Sequence, residues 1–536
     1  MNKLFTQLLA VRNINEDFLH PKYENLSDPY NVPDIKKAVE RIKNSINNQE
    51  KILIYGDYDV DGITASTLME QTLILAGIPQ QNIQIMLPDR FIDGYGMSPR
   101  LIERAKEQKI NLVITVDCGS RNHSIIDELN KLNIDTIITD HHECDPTTPS
   151  AVATINPHRQ DTPAPQLHSL AGVGVAFKLA QALVKANLIK NGQEKWLLDL
   201  VLIGTICDHM ELTGENRILC YYGIKVLEKT RRKGLIELMR LAGTKQITSE
   251  SIGFQIGPRL NASGRLTTAT TSLNLLRTAK ATESAMLASQ LEQLNKDRRS
   301  AQRTALKEIT ERGITKDPVI VEAGKWHEGI IGIVAGRLVE QYQKPAFVLT
   351  EIDGDIYKGS GRSFGDFSLA EALNYVKDTI IGGGGHAGAA GVQVPKNKLN
   401  DFREQINKYY QNLNLKDQSR YLISHPDLTA TSLKDFTRDF MAELRALEPF
   451  GPGNKEPIFQ ISGANIINQR RMGADGRHLR LDICDSQKNT LKLVSFNSPE
   501  SWFTLDPSAS YSFLIQPIEN DFNGIRSVEA RLIDVI

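Results

Sequence analysis

The chain has 536 residues, 40% of them hydrophobic and 24% charged, with a formal net charge of −1. A single hydrophobic core stops growing at roughly 250–300 residues, so this length predicts about three domains, and the composition excludes a largely disordered chain. The balanced charge excludes a uniformly basic protein, so any nucleic-acid-binding surface must be local.

The opening segment MNKLFTQLLAVRNINEDF scatters charges where a signal peptide needs an apolar run, and no window approaches the ~20 apolar residues of a membrane span. A cytoplasmic protein without a membrane partner is expected. The cysteines Cys118, Cys144, Cys207, Cys220 and Cys484 are odd in number and never paired as C-x-x-C, which reads as reduced thiols.

Across residues 51–142 the β-branched runs KILIY, LVITV and DTIIT each end in a polar or acidic turn and are followed by a helical pattern. This is βαβ punctuation and predicts a doubly wound parallel sheet. The helix after the first turn, about 63–76, is predicted from apolar positions Ile63, Leu68, Leu73 and Leu75, with Gly77-Ile78-Pro79 stopping it. Ligands of such sheets sit beyond the carboxyl ends of the strands, and the acidic residues cluster there. GDYDVDG places Asp57, Asp59 and Asp61 in one short loop, Asp117 follows LVITV, and Asp140, His141 and His142 follow DTIIT. A calcium hand would join two helices and end in a distant Glu, whereas this loop follows a strand. Asp208 closes the apolar stretch LVLIGTIC, where a lone carboxylate is costly unless paired, metal-bound or solvated at the helix end.

Carboxylates with a few histidines and no thiolate pair fit Mn²⁺ or Mg²⁺ better than structural Zn²⁺. Two such ions sharing carboxylates are suited to phosphodiester hydrolysis. Cys118 and Cys207 flank candidate ligands and are read as small buried neighbours.

From about 278 to 312 the sequence lacks Gly and Pro and is rich in helix formers, predicting one long helix that bridges two domains. A second α/β pattern runs from DPVIVEAG through KPAFVLTE to GGGGHAGAAG at 382–391, a run too rich in glycine for a helix interior. Beyond Glu448-Pro449-Phe450-Gly451 the alternation in HLRLDICD, TLKLVSF and YSFLIQPI predicts short half-buried strands, which period alone leaves open between a barrel and a sandwich. The expected domains are residues 1–275, a connecting helix 276–313, a second α/β domain 314–412, and a linker with a β-barrel 413–536.

The set GDYDVDG, VDCG, DHH at 140–142 and Asp208 resembles the DHH phosphoesterase superfamily, and GPRLNASGR at 257–265 narrows the resemblance to RecJ-like exonucleases. WHEGIIGIVAGRL, KGSGR and GGGGHAGAAG resemble the DHH-associated domain, and the terminal segment an OB-like one, so the likeness covers nearly the whole chain. It implies a 5′-to-3′ exonuclease of single-stranded DNA acting in repair and recombination. It further implies two divalent ions, normally Mn²⁺, on Asp57, Asp59, Asp61, Asp117, His141 and Asp208. His142 would lie close to the scissile phosphate, with Asp140 and Asp117 completing the catalytic set.

Similarity also makes Arg90, Asn261, Ser263, Arg265, Ser360, Arg362 and His386 phosphate contacts, with Tyr95 stacking on a base. Arg265, Ser360 and Arg362 are read as lying in Gly/Ser loops. Trp326, His327 and Glu328 match another motif of the second domain without a defined role. Arg470, Arg471, Arg477, His478 and Arg480 form either a DNA-guiding barrel face or a solvated one. A single-strand-binding protein and a helicase are candidate direct partners. The rival readings are a DHH enzyme of short oligonucleotides or cyclic dinucleotides, and a DNA-binding scaffold without catalysis; the intact Asp and His set counts against the second.

Overall fold

In the computed structural model all residues are described except Met1, Tyr95, Thr315, Asp353, Ala474, Asn523 and Gly524; the side chains of Asp521, Phe522 and Ile525 are likewise not described. The chain divides into two units. One comprises Pro29–Asp208 with Val226–Leu422; the other gathers Met1–Asp28, His209–Lys225 and Ile423–Ile536.

The larger unit begins with a five-stranded sheet of β1 (Ile52–Gly56), β2 (Ile83–Met86), β3 (Leu112–Val116), β4 (Asp135–Thr139) and β5 (Ala153–Ile155). All its pairings are parallel and the order is β2-β1-β3-β4-β5. The runs KILIY, LVITV and DTIIT therefore form strands as expected, because every residue of β1 and β3 is buried on both sides. One face is covered by the amphipathic helices Pro99–Gln108 and His123–Lys131.

On the other face lies the helix Val60–Leu75, packed against the helices Gly172–Lys185 and Leu198–Cys207. The sequence marks Ile63, Leu68, Leu73 and Leu75 as the apolar positions of this helix, with polar residues between them. In the structure Thr64, Ser66, Thr67, Glu70 and Thr72 are buried too, because protein surrounds it, while Leu75 is only half-buried. Thr64 and Thr67 satisfy their hydroxyls by donating to the carbonyls of Val60 and Ile63 one turn earlier.

The long helix runs Ala281–Arg312, 32 residues. It packs on the helices Lys233–Ala242, Gly257–Leu266 and Thr270–Arg277, and it also meets the helix Ile331–Tyr342 of the following domain. That domain is a mixed sheet of β6 (Ile320–Gly324), β7 (Ala346–Ile352), β8 (Ile356–Arg362), β9 (Gly382–Gly385) and β10 (Ala389–Pro395), in the order β6-β7-β8-β10-β9. The glycine run is its exposed edge strand.

Two segments differ from the loop reading. NASGR is the end of the helix Gly257–Leu266, and KGSGR lies in β8, between β7 and β10. At Gly359 and Gly361 a Cβ would stand within 3 Å of Leu349, Val392 and Phe347 side chains, so the glycines serve sheet packing.

In the second unit β11 (Leu428–Ala430), β12 (Phe459–Met472), β13 (His478–Cys484), β14 (Thr490–Ser495), β15 (Ser510–Phe522) and β16 (Ile525–Val535) form one sheet. β12 pairs with both β13 and β15, closing a five-stranded barrel on itself, so the choice between barrel and sandwich falls to the barrel. Its apolar interior is shared with Leu4, Phe5 and Leu8 of the helix Lys3–Val11. Arg217, almost wholly buried, donates to the carbonyls of Phe18, Leu447 and Ala446 and so ties all three stretches of this unit together. Among the described residues no helix is long and apolar enough to cross a membrane.

Candidate metal centre and phosphate site

The sheet order reverses between β1 and β3, the switch point at which open parallel sheets bind ligands. Asp57 leaves the end of β1 there, and Asp117 the end of β3. Asp117 adopts the left-handed region at φ 61°, which few non-glycine residues occupy, and its N–H donates to the Thr139 carbonyl at 2.9 Å. Asp59 caps the helix Val60–Leu75, accepting from the Gly62 N–H at 3.0 Å. Asp61, in the first turn of the same helix, accepts from the Gly172 and Val173 N–H groups at 2.6 and 2.9 Å.

Small residues make this convergence possible. A Cβ on Gly172 would stand 2.6 Å from Asp117 Oδ1, and one on Gly204 2.7 Å from Asp61 Oδ1. Asp208 caps the end of the helix Leu198–Cys207. His141 joins the set: its Nε2 lies 3.1 Å from Asp117 Oδ1, 3.6 Å from Asp208 Oδ2 and 3.9 Å from Asp61 Oδ2. His142 is held differently, its Nδ1 2.8 Å from Asp140 Oδ1. Asp140 also accepts from the N–H groups of Ser120, His141 and His142.

Electrostatics separates the carboxylates into two kinds. Burial pushes Asp57 up to about 8, Asp61 to about 7 and Asp208 to about 8, and neighbouring Asp charges push the same way. Asp117 is raised too, by burial first and then by Asp61, Asp59, Asp57 and Asp208. For Asp140, burial is outweighed by the hydrogen bond and charge of His142, which hold it well below the ordinary carboxylate range. Burial and the charge of His142 press His141 down to about 4; for His142 the bond to Asp140 overrides burial and lifts it to about 9.

The donor chemistry of this cluster suits cations. Oδ1 of Asp57 and Oδ1 of Asp117 are buried without a hydrogen-bond partner, a costly state for an oxygen that metal coordination would relieve. Three sets have donor atoms within 4.8 Å of one another: Asp57, Asp59 and Asp117; Asp61, His141 and Asp208; Asp117, His141 and His142. Carboxylate oxygens with imidazole fit hard divalent ions. Cys118 and Cys207 are not in these sets, and burial raises both thiols, so they are packing neighbours.

Beside the carboxylates stands a group of half-buried cations. Arg90 lies over the Tyr58 ring at 5.2 Å and opposes in part the rise of Asp57, while Asp59 acts favourably on Arg265. Burial depresses Arg265 to about 10, and Arg90, Arg298 and Arg362 add repulsion. Arg362 is lowered by burial and by Arg90. Like charges gathered at half-buried positions repel one another, and an anion placed among them would offset that repulsion. Arg298 was not foreseen, since nothing in the long helix marks it among many exposed cations.

Asn261 lies one turn before Arg265 on the same helix face. Ser263 does not share that face: it is fully buried and its hydroxyl bonds Ser272 at 2.8 Å. Ser360 accepts from Arg362 Nη1 at 3.1 Å. His386 is exposed after β9 and lines a cavity of about 350 Å³ with Gly119, Ser120, Asn122, Asp140, His142 and Glu143. Tyr95 lies outside the described residues. Unforeseen supports are Gly172 and Val173, whose N–H groups seat Asp61, and Asn156, which is buried and donates to the His142 carbonyl and to Ser120 Oγ at 2.8 Å. The run AGVGVA was the available signal for the first pair.

A parallel sheet whose strand ends converge on buried carboxylates beside an arginine pocket defines a metal-dependent phosphoester hydrolase of the DHH type. Residues 51–205 match the DHH family, N-terminal domain, residues 316–412 the DHHA1 domain, and residues 429–534 the RecJ OB domain. The chain is 34% identical to the single-stranded-DNA-specific exonuclease RecJ of Bacillus subtilis, over 96% of this chain and 65% of that protein. It is 32% identical to the RecJ of Dickeya dadantii, over 99% of this chain and 94% of that protein. Its structure matches that of Thermus thermophilus RecJ in complex with Mn²⁺ at a TM-score of 0.83 and 26% identity, covering 100% of this chain and 76% of that one. The chain belongs to the RecJ family of exonucleases.

Proposed function

We propose that this protein digests single-stranded DNA from its 5′ end, releasing mononucleotides in DNA repair and recombination. The observation that carries this reading is the pairing of a buried carboxylate cluster, two of whose oxygens lack hydrogen-bond partners, with an arginine pocket beside it. The relatives' names agree with it: they are single-stranded-DNA-specific exonucleases.

Two Mn²⁺ ions, with Mg²⁺ as an alternative, would be held by Asp57, Asp59 and Asp117 on one side and Asp61, His141 and Asp208 on the other. When bound, such ions lower the pKa of water to give a nucleophile and offset charge growing on the phosphate. His142, oriented by Asp140, would donate a hydrogen bond to the scissile phosphate. Arg90, Arg265, Arg362 and Ser360, with Asn261, would grip the terminal phosphate one nucleotide away, which makes the product a mononucleotide and fixes the direction. His386 would close over the strand from the second sheet. The barrel would guide the following nucleotides. A cytoplasmic setting, with a single-strand-binding protein and a helicase as partners, suits such an enzyme.

The test is digestion of end-labelled single- and double-stranded DNA with Mn²⁺ or Mg²⁺, blocked at either end, beside a dinucleotide control. Equal digestion of 5′-blocked and 3′-blocked strands would overturn the direction, and preference for the dinucleotide would overturn the substrate.

A further inference from the structure

The motif WHEGIIG at 326–332 lies outside the carboxylate cluster, yet each element that carries a phosphate-site arginine meets it. The Phe91 ring, next to Arg90, packs edge-on against the His327 ring at 5.5 Å. His327 Nδ1 in turn accepts from the Gly329 N–H at 3.1 Å. A Cβ on Gly329 would lie 1.7 Å from the Arg265 carbonyl oxygen, so the two backbones approach as only a glycine allows. Glu328 pairs with Lys358 at 2.6 Å, on the strand β8 that also carries Ser360 and Arg362. Trp326 anchors the motif: its Nε1 donates to Glu308 of the long helix at 2.8 Å, and its N–H to Thr350 Oγ1 at 3.1 Å.

Gly332 ends this motif, facing the pocket itself. A Cβ there would stand 3.0 Å from Ser360 Oγ and 3.1 Å from Arg362 Nη2. These contacts are closer than carbon normally comes to either group, so both donors would have to shift by a few tenths of an ångström. Nη1 of Arg362 already donates to Ser360 Oγ and to the Gly361 carbonyl, which leaves Nη2 as the edge toward Gly332. One turn further along the same helix a Cβ on Gly336 meets nothing within 4 Å, so the crowding belongs to Gly332 and not to the helix face in general.

We propose that Gly332 is a specificity-determining residue: by carrying no side chain it lets Ser360 and Arg362 present their donors together to a terminal phosphate monoester, and thereby selects strands with a 5′ phosphate. This rests on the reading of the arginine pocket as the site of the strand terminus. A phosphate monoester carries more charge and one more terminal oxygen than an internal diester, and parallel donors reward that difference. A misaligned pair loses the reward without disturbing the carboxylates.

The experiment compares kcat/KM on 5′-phosphorylated and 5′-hydroxyl oligonucleotides of one sequence, for the wild type, Gly332→Ala and Gly336→Ala. The wild type and Gly336→Ala prefer the phosphorylated strand. In Gly332→Ala the rate on that strand falls about tenfold or more, the loss of one charge-assisted bond, while the rate on the hydroxyl strand stays within about twofold. No preference in the wild type overturns the pocket reading itself. A wild-type preference that Gly332→Ala keeps in full, at unchanged Tm, overturns the role of Gly332 alone. If Gly332→Ala does not fold, the comparison moves to a Ser360→Ala background, where the nearest atom to the new methyl is gone. A further fall in preference beyond Ser360→Ala supports the proposal, and an equal preference overturns it.

Discussion

His142 Nδ1 stands 2.8 Å from Oδ1 of Asp140, and that one oxygen also accepts the N–H groups of His141 and His142. Asp140 thus fixes both the ring and the backbone of the DHH turn, while lying outside the sets of potential ligands. Asp140→Asn keeps the shape but exchanges a charged acceptor for an amide. The expected result is a fall in kcat of about 10- to 100-fold, the usual cost of losing an orienting partner, with Mn²⁺ affinity by calorimetry nearly unchanged. An unaltered kcat in a folded variant would remove Asp140 from the catalytic set.

Asp117 occupies the centre of the cluster, belonging to two of the three ligand sets. Asp117→Ala should therefore reduce hydrolysis by about a thousandfold or more, several kcal/mol of charge stabilisation, with single-stranded DNA binding retained. Filter binding in the absence of metal, beside the rate with Mn²⁺, separates the two effects. Wild-type cleavage by this variant would exclude Asp117 from the site.

Without metal, stability should fall as pH rises from about 6.5 to 9. Asp57 and Asp208 are raised to about 8 and Asp61 to about 7, so through this range the folded chain holds protons that unfolded carboxylates have already lost. His142, raised to about 9, acts in the same direction. His141, depressed to about 4, opposes only below its unfolded value near 6.5. Binding more protons in the folded state makes stability decrease with pH. Tm of the chelator-treated protein should drop across this window, and Mn²⁺ should raise Tm more at pH 8.5 than at pH 6.5. A metal-free Tm that rises with pH over that range would contradict the clustering of these charges.

Part of the candidate metal centre was legible because Asp57, Asp117 and the turn at Asp140 lie at strand ends, where a β-branched run followed by Asp is a local pattern. Asp57, Asp117 and Asp140 needed only that pattern and the rule for parallel sheets. The burial of Ser263 was not legible, since NASGR reads the same in a loop as on a helix and only helical geometry turns Ser263 away from Arg265. Nor was the burial of most of the helix Val60–Leu75, because residues such as Thr64 and Thr67 read as polar while satisfying their hydroxyls on the helix backbone. The joining of Met1–Asp28 and His209–Lys225 to the terminal barrel unit depends on contacts hundreds of residues apart, such as those of Arg217, which no local signal records.

That joining decides how the barrel should be tested. A truncation near Gln411 would remove the partners of Arg217 and uncover Leu4, Phe5 and Leu8, so loss of activity could follow from unfolding of the remainder. Substitution on the barrel surface avoids this. Of the basic residues there, Arg471 stacks on Phe503 at 3.8 Å and pairs with Glu500, and Arg480 Nε lies 3.7 Å from Asp482 Oδ1, so both are partly neutralised. Arg477 faces Asp475 at 3.4 Å, whereas Arg470 is exposed on β12 and has no ion pair among the described residues. If the barrel tracks the strand, Arg470 is the best placed to meet a phosphate. Arg470→Ala should weaken binding of long single-stranded DNA, and each neutralised phosphate lost should make the slope of log affinity against log salt shallower by about 0.7. Combining it with Arg477→Ala should double that change only if Arg477 leaves Asp475 for the strand. Digestion of a short oligonucleotide at saturating concentration should be unaffected, since the carboxylates lie on the other unit. Unchanged affinity and slope in the double variant, at wild-type Tm, would assign the barrel face to solvent or to a protein partner.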